Sequence, residues 1–445
     1  MSRRRGLVGL FVAQAVSTTG TRMSLLALPV FVFLTTGSAL RTGLVGFAEM
    51  LPYVLLKLFG GPLVDRLGPW RASVGSDLAA AVVVGTVPLL HALHTLSFPL
   101  LLALVALAGA LRAPGDGAKS VLLPAVVARA AVPMERAVGL SDGVSRLATM
   151  LGAPLGGALV GVLGAPWVLV IDAASFAVGA VVVGCLVERA EVLPAKARSS
   201  GLRAYAEQMR EGFSFLRGQP FLRAAAGMVA VTNLLDAAVT AVLLPVWALT
   251  RYGDQHGPAA LGLVMAVFGA GAVAGTAVMA GVGHRLPRRL TYATAFLLGG
   301  APRILVLALP VPLVVVVAVS AVCGLAGGAI NPLLAAAEYE RIPAALQARV
   351  LGAVGGLAWA GIPLGGLLGG WTVGGLGLPI AVVVVGGLYL AATLDPFLRP
   401  AWRDMERRPL QADDAGDIAP SLQPDRNQLT VAAGTVESAT SRTRG

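Results

Sequence analysis

The residues of this chain that can do chemistry stand inside apolar runs: Arg22, Glu49, Arg112, Asp116, Asn233, Asp236 and Asn331. An ionised side chain in hydrocarbon costs about 3 kcal/mol or more, so each charge needs a partner or a water-filled cavity. In such a cavity a carboxylate can bind and release a proton as its surroundings change, and an arginine or amide can hold a polar group of a ligand. Arg112 and Asp116 are four apart on one expected helix and can neutralise each other, as can Asp142 and Arg146. Asp236 has no opposite charge within one turn, which makes it the first candidate for carrying a proton. Glu49 reads as a coupling residue or as an interface residue. Asn331 reads as a ligand-binding amide, with interhelical packing the preferred role.

A second constellation is a short polar interruption, Gly60-Gly61-Pro62-Leu63-Val64-Asp65-Arg66-Leu67-Gly68-Pro69-Trp70-Arg71, set between two long apolar stretches. It crowds an acid, two bases and several helix breakers into one turn. Asp65 can accept hydrogen bonds from a helix N-terminus or pair with Arg66 or Arg71.

Other chemistries are not supported. Gly115-Asp116-Gly117-Ala118-Lys119-Ser120 looks like a phosphate loop, but Ala118 replaces the glycine before the lysine and no strand precedes it. His91 and His94 lack a third ligand and read as surface residues, so no metal site is expected. No Ser/His/Asp or Cys/His arrangement suggests catalysis. No enzyme activity and no cofactor are expected.

These residues must be positioned by membrane helices. Of 445 residues 56% are hydrophobic and only 13% charged, against roughly 25% charged in an average soluble protein. Over so long a chain that deficit means apolar surface facing lipid. The apolar segments long enough to cross a membrane as helices number twelve: 7–34, 41–64, 72–93, 98–123, 138–163, 165–187, 223–250, 258–282, 288–309, 311–336, 346–371 and 376–398. Arg3-Arg4-Arg5 before Leu7–Val12 looks like a signal peptide, but the apolar run continues to Leu34 and reads as an uncut first helix. A net charge of +11 would suit a nucleic-acid binder. The bases, however, collect in alternate loops, and only Arg41 and Arg251 fall in the opposite set. By the positive-inside rule both termini are cytoplasmic, and nucleic acid is not needed to explain the charge. Cys185 and Cys323 lie in apolar runs, so no disulfide framework is expected.

The one long internal connection, near 188–219, contains Leu202, Tyr205, Met209, Phe213 and Leu216 at helical spacing. It reads as an amphipathic helix lying on the inner membrane surface, a partner-binding helix being the rival. An internal repeat supports two halves: Gly152-Ala153-Pro154-Leu155-Gly156-Gly157 returns 209 residues later as Gly361-Ile362-Pro363-Leu364-Gly365-Gly366. These glycines let neighbouring helices approach closely. A degenerate copy of the polar turn, Gly281–Arg289, follows the eighth segment with His284 in place of the acid.

The turn fits the pattern G-x-x-x-D-R-x-G-x-x-R at Gly61, Asp65, Arg66, Gly68 and Arg71, and so resembles the signature loop of the major facilitator superfamily. Pro69 and Trp70 depart from its usual basic pair. Ala27-Leu28-Pro29, Thr36-Gly37-Ser38, Leu122-Leu123-Pro124 and Asp172-Ala173-Ala174-Ser175-Phe176 resemble the bacterial branch containing enterobactin exporters and macrolide efflux pumps. The likeness covers about residues 6–398. The fifth-segment motif departs from the usual G-P-x-x-G-G, its proline being one place late at Pro154. The resemblance implies that segments one, four, seven and ten line a central cavity, which would place Arg22, Arg112, Asp116, Asn233, Asp236 and Asn331 beside it. It implies too that Asp65 latches onto the start of segment eleven when the inside is closed.

The expected fold is an all-α polytopic membrane protein, twelve transmembrane helices in two pseudo-symmetric six-helix bundles. The expected division is 1–187 and 223–399 for the bundles, 188–222 for the linker and 400–445 for a disordered cytoplasmic tail. The expected function is proton-coupled efflux of a drug-like or metabolite-like molecule by alternating access, by a monomer in the bacterial inner membrane whose partners are substrate, protons and lipid. An importer or uniporter of the same fold, or a non-transporting receptor or scaffold, are the alternatives.

Overall fold

A computed structural model of the chain describes residues 4–59, 61–130, 132, 134–189, 202–342 and 346–406. Linker residues 190–201, tail residues 407–445, and the side chains of Asp65, Asp142, Arg146, Leu202, Tyr205, Met209 and His284 lie outside the described residues.

The first half contains α1 Arg5–Thr36, α2 Ala39–Phe59, α3 Gly61–Leu67, α4 Pro69–Ala92, α5 Phe98–Ala130, α6 Met134–Leu163 and α7 Ala165–Leu186. After the linker helix α8 Leu202–Gly218 come α9 Pro220–Ala238, α10 Leu244–Val282, α11 Arg288–Gly299, α12 Ala301–Leu305, α13 Leu313–Gly327, α14 Ile330–Arg341, α15 Gln347–Ala360, α16 Ile362–Leu376, α17 Leu378–Thr393 and α18 Asp395–Leu398. Among the described residues ten stretches are long and apolar enough to cross a membrane. The longest, Pro220–Met279, turns at Gly253 (φ 72°, ψ 178°) and so makes two passes, where the sequence suggested a connecting loop at 251–257. The remaining pass is α6, 30 residues long with an apolar second half. The result is twelve passes in two bundles, as the lengths of the apolar runs predict. Breaks in the second bundle fall where backbones or rings press close. At Gly300, between α11 and α12, an added Cβ would lie 1.8 Å from the Tyr389 ring.

The repeated glycine motif does the same work in both bundles. An added Cβ on Gly156 would lie 2.9 Å from the Met23 Cα of α1, and one on Gly365 would lie 2.3 Å from the Leu234 carbonyl of α9. Each motif thus seats its helix on the first helix of its own half. The next residue in each faces the other half: Gly157 against Gly262 of α10 (2.6 Å) and Gly366 against Gly43 of α2 (2.8 Å). The bundles are therefore joined by α6–α10 and α2–α16 seams, both at the end of the molecule carrying Gly37, Gly164 and Gly377.

Two expectations need correction. The described part of α8 puts Leu216 (3% exposed) and Phe213 into the core beside α9 and α15, with Glu211 paired to Arg349, instead of presenting that face to lipid. Nor does the polar tail begin at 400. Pro400–Glu406 forms a 3-10 turn whose Trp402 is fully buried, stacked 5.3 Å from Tyr292 and donating from Nε1 to Asp395 Oδ2 at 2.7 Å. An apolar slot under α9 and α11 holds these last aromatic and sulfur side chains.

Candidate functional site

The first bundle carries a mixed-charge cluster built from α1, α2 and α5. Arg112 Nη1 donates to Glu49 Oε1 at 2.6 Å, both side chains nearly buried (11% and 12% exposed). One turn on, Tyr53 Oη donates to Asp116 Oδ2 at 3.3 Å and accepts from Lys57 Nζ at 3.2 Å. The Lys57 ammonium also lies 4.1 Å from the ring centre of Trp359, on α15 of the other bundle. Arg22 projects from α1 within electrostatic reach of Arg112, Tyr53 and Asp116, and is exposed. Deeper in the same bundle, Lys119 Nζ lies 2.9 Å from Asp77 Oδ2 and 3.2 Å from Ser17 Oγ, fastening α5 to α4 and α1. Asp172 of α7, 3% exposed, accepts from Ser175.

The second bundle holds one central ion pair. Asp236, near the end of α9, is paired with Arg303 of α12, and Tyr389 of α17 donates to its other oxygen at 3.4 Å. The Arg303 guanidinium also stacks 4.7 Å over Phe268. Arg303 forms part of the wall of a cavity of about 820 Å³ lined by apolar side chains such as Val239, Leu244, Met265 and Phe268, with Thr240, Thr276 and Asn331 among its polar groups. Ser145 and Leu147 of α6 close it from the other bundle. That volume suits a drug-sized organic molecule, and few polar groups are available to orient it. Among the described residues no group of three metal-ligating side chains occurs.

A central cavity between two six-helix bundles with a repeated glycine motif is a transporter architecture, and the family model for the Major Facilitator Superfamily matches residues 10–257 and 229–431. The chain belongs to that superfamily. It is 29% identical over 408 residues to the multidrug efflux pump Tap of Mycobacterium tuberculosis (strain ATCC 25618 / H37Rv), covering 90% of this chain and 94% of that one. The Tap pump of Mycolicibacterium fortuitum is 29% identical over 381 residues, 85% of this chain and 91% of the relative. In fold the chain is similar to a point mutant of the nucleoside transporter NupG (TM-score 0.72, 12% identity, 88% and 99% of the two chains). It is also similar to a bacterial homolog of the human lysosomal transporter Spinster, inward-facing and unoccupied (TM-score 0.69, 14% identity, 91% and 98%). This major facilitator protein is thus a multi-pass membrane transporter of small molecules and not an enzyme.

The pairing of the predicted residues differs from the same-helix expectation. Arg112 and Asp116 do not neutralise each other: Arg112 takes Glu49 and Asp116 takes Tyr53, because both point across to α2. Asp236, which has no opposite charge within one turn of its own helix, is paired with Arg303 of α12. Asn233 does not face the cavity as a free ligand, since its Nδ2 donates to the Ala358 carbonyl at 2.9 Å and ties α9 to α15. Asn331 does line the cavity. Lys57, Arg303, Tyr53, Tyr389 and the Lys119–Asp77 pair were not among the sequence candidates, although a tally of every ionisable residue inside the apolar segments would have found Lys57, Arg303, Lys119 and Asp77.

In the signature loop, α3 packs on α2, α4 and α5 of its own bundle, and Arg66 and Arg71 are exposed. Gly68 (φ 79°) makes the left-handed turn into α4, a conformation that favours glycine. Trp70, at the position that departs from the family pattern, donates from Nε1 to the Val187 carbonyl at 2.9 Å and carries the Arg189 guanidinium 4.6 Å over its ring. In the degenerate copy Arg288 grips Glu340 through two hydrogen bonds, and Arg289 donates to the Pro396 and Phe397 carbonyls.

Proposed function

We propose that this transporter exports a drug-like or metabolite-like organic molecule from the bacterial cytoplasm in exchange for protons. The observation that carries the reading is the Asp236–Arg303–Tyr389 constellation at the wall of a mostly apolar cavity. While Arg303 holds Asp236, the carboxylate has a counter-charge; rearrangement of α9 against α12 would separate the pair and free the carboxylate to exchange a proton. Proton binding then shifts the balance between two arrangements of the bundles, which is all that coupling requires. The efflux direction is supported by the likeness to the Tap pumps. With both termini cytoplasmic, the glycine seams close the outer end, and the chain is inward-facing. Asp65 would engage the start of α15 only in the state with the inside closed. The transporter would act as a monomer.

The test is transport of a panel of fluorescent organic compounds in inverted vesicles, with and without a pH gradient. Asp236→Asn should abolish gradient-driven accumulation while gradient-free exchange of the same compound persists. Unchanged gradient-driven transport by the variant would rule out its role.

A further inference from the structure

The mixed-charge cluster of the first bundle is not electrically balanced. Its cations are Arg22, Lys57 and Arg112, and its acids are Glu49 and Asp116. Arg112 is satisfied by Glu49 at 2.6 Å, and Lys57 reaches Asp116 through the Tyr53 hydroxyl. Arg22 is left over: among the described residues it has no ion pair and no hydrogen bond, and it is the exposed member near the middle of α1. Asp172, the other acid near Arg112, does not serve it. That carboxylate is 3% exposed and packs against Gly20, where an added Cβ would lie 2.7 Å from its Oδ1. At about 100° per residue, Arg22 leaves the helix about 200° further round. Gly152 of α6 fits under the Arg22 Cβ (2.5 Å from an added Cβ), so the helix contact is made by the base of the side chain.

An arginine at mid-membrane depth with no acid of its own is expensive to keep. A fixed fork of donors in a partly dry cavity matches carboxylate, sulfonate and phosphate groups. We infer that Arg22 is the anchor for an anionic group on the transported molecule, whose apolar body lies in the cavity walled by Phe268 and Met265. This rests on the transporter reading above, and it narrows the substrate class to amphipathic organic anions. The two halves of the site then divide the labour, with charge recognition in the first bundle and proton exchange in the second.

The experiment compares two probes with one fluorophore and opposite charge, dansylglycine and dansylethylenediamine, titrated into the full chain in neutral-lipid nanodiscs and read by dansyl fluorescence. The parent should bind dansylglycine about tenfold more tightly than the amine. Arg22→Gln should erase that preference by weakening dansylglycine about tenfold, and Arg22→Lys should keep most of it. Probe binding is read with no proton gradient, so loss of coupling and loss of anion recognition are separable. Equal binding of the two probes, preference for the amine, binding of neither, or an unchanged preference in Arg22→Gln would each overturn the assignment. If Arg22→Gln fails to give a monodisperse protein, the comparison of probes on the parent and on Arg22→Lys still decides it.

Discussion

The two bundles share a frame and differ in chemistry. In each, a helix with flush glycines rests on the first helix of its own half and leans one residue further on the other half, through Gly156 and Gly157 or through Gly365 and Gly366. The charges do not follow that symmetry. The first bundle holds Glu49–Arg112 and Asp77–Lys119 as nearly buried pairs together with the Lys57–Tyr53–Asp116 chain, whereas the second holds Asp236–Arg303 beside a mostly apolar cavity. Duplicated packing needs only small residues at fixed spacing. Duplicated charge would set two cation-rich clusters facing each other across one crevice. The contrast teaches that helix contacts are symmetric because they must close a seam, whereas the charged groups are under no such constraint.

The largest effect expected from breaking the contrast is at Asp77. Asp77→Leu would leave the Lys119 ammonium 6% exposed with only the Ser17 hydroxyl, and removing one partner of a buried pair costs about 3–5 kcal/mol. Thermal unfolding in detergent should show it, and Asp77→Leu combined with Lys119→Met should recover most of the loss. If the single variant melts with the parent, the pair is not holding α4 to α5. Next in size is Glu49→Gln, which strands Arg112 and should cost about 2–3 kcal/mol, less than at Asp77 because the site borders water. It also makes the first cluster more positive. Its dansylglycine affinity should therefore rise or hold while stability falls, a split that a merely structural role for Glu49 would not produce.

The symmetric element can be tested in the same way. Gly157→Leu and Gly366→Leu each push side chains into backbone 2.6–2.8 Å from the added Cβ, and overpacking of this kind costs about 1–3 kcal/mol. Because Gly157 and Gly366 lie at inter-bundle seams, the cost falls on the state in which that end is closed. Cysteine pairs placed across the Gly37 and Gly377 end should cross-link less in both variants, by about the same factor. A large effect in one and none in the other would show that the seams are not equivalent.

How much of this was legible in the residues follows from the range of the forces involved. Apolar runs, the loop from Gly61 to Arg71, and the glycine repeat are local patterns, and the twelve passes and two bundles follow from them. Pairings between helices are not local. Same-helix spacing brought Arg112 to Asp116, whereas the folded chain gives each a partner on α2. Arg303 lies 67 residues from Asp236 and comes beside it only because the helix breaks at Gly300 to admit the Tyr389 ring. The linker helix misled for a related reason: an amphipathic face does not say whether lipid or α15 will cover it.

That linker supplies the smallest effect and a control for the rest. Glu211 of α8 pairs with Arg349 of α15, but the two side chains remain 55% and 39% exposed. Pairs this open contribute about 0.2–1 kcal/mol and are screened by salt. Glu211→Gln should therefore lower the melting temperature by at most a few degrees, with the difference vanishing at high ionic strength, and leave both transport and the dansylglycine preference unchanged. The burial of Leu216, not the ion pair, then holds α8 to the second bundle, and Leu216→Ser should release it where Glu211→Gln does not. Limited proteolysis near residue 202 distinguishes the two, since cleavage that accelerates in Glu211→Gln but not in Leu216→Ser would reverse that order.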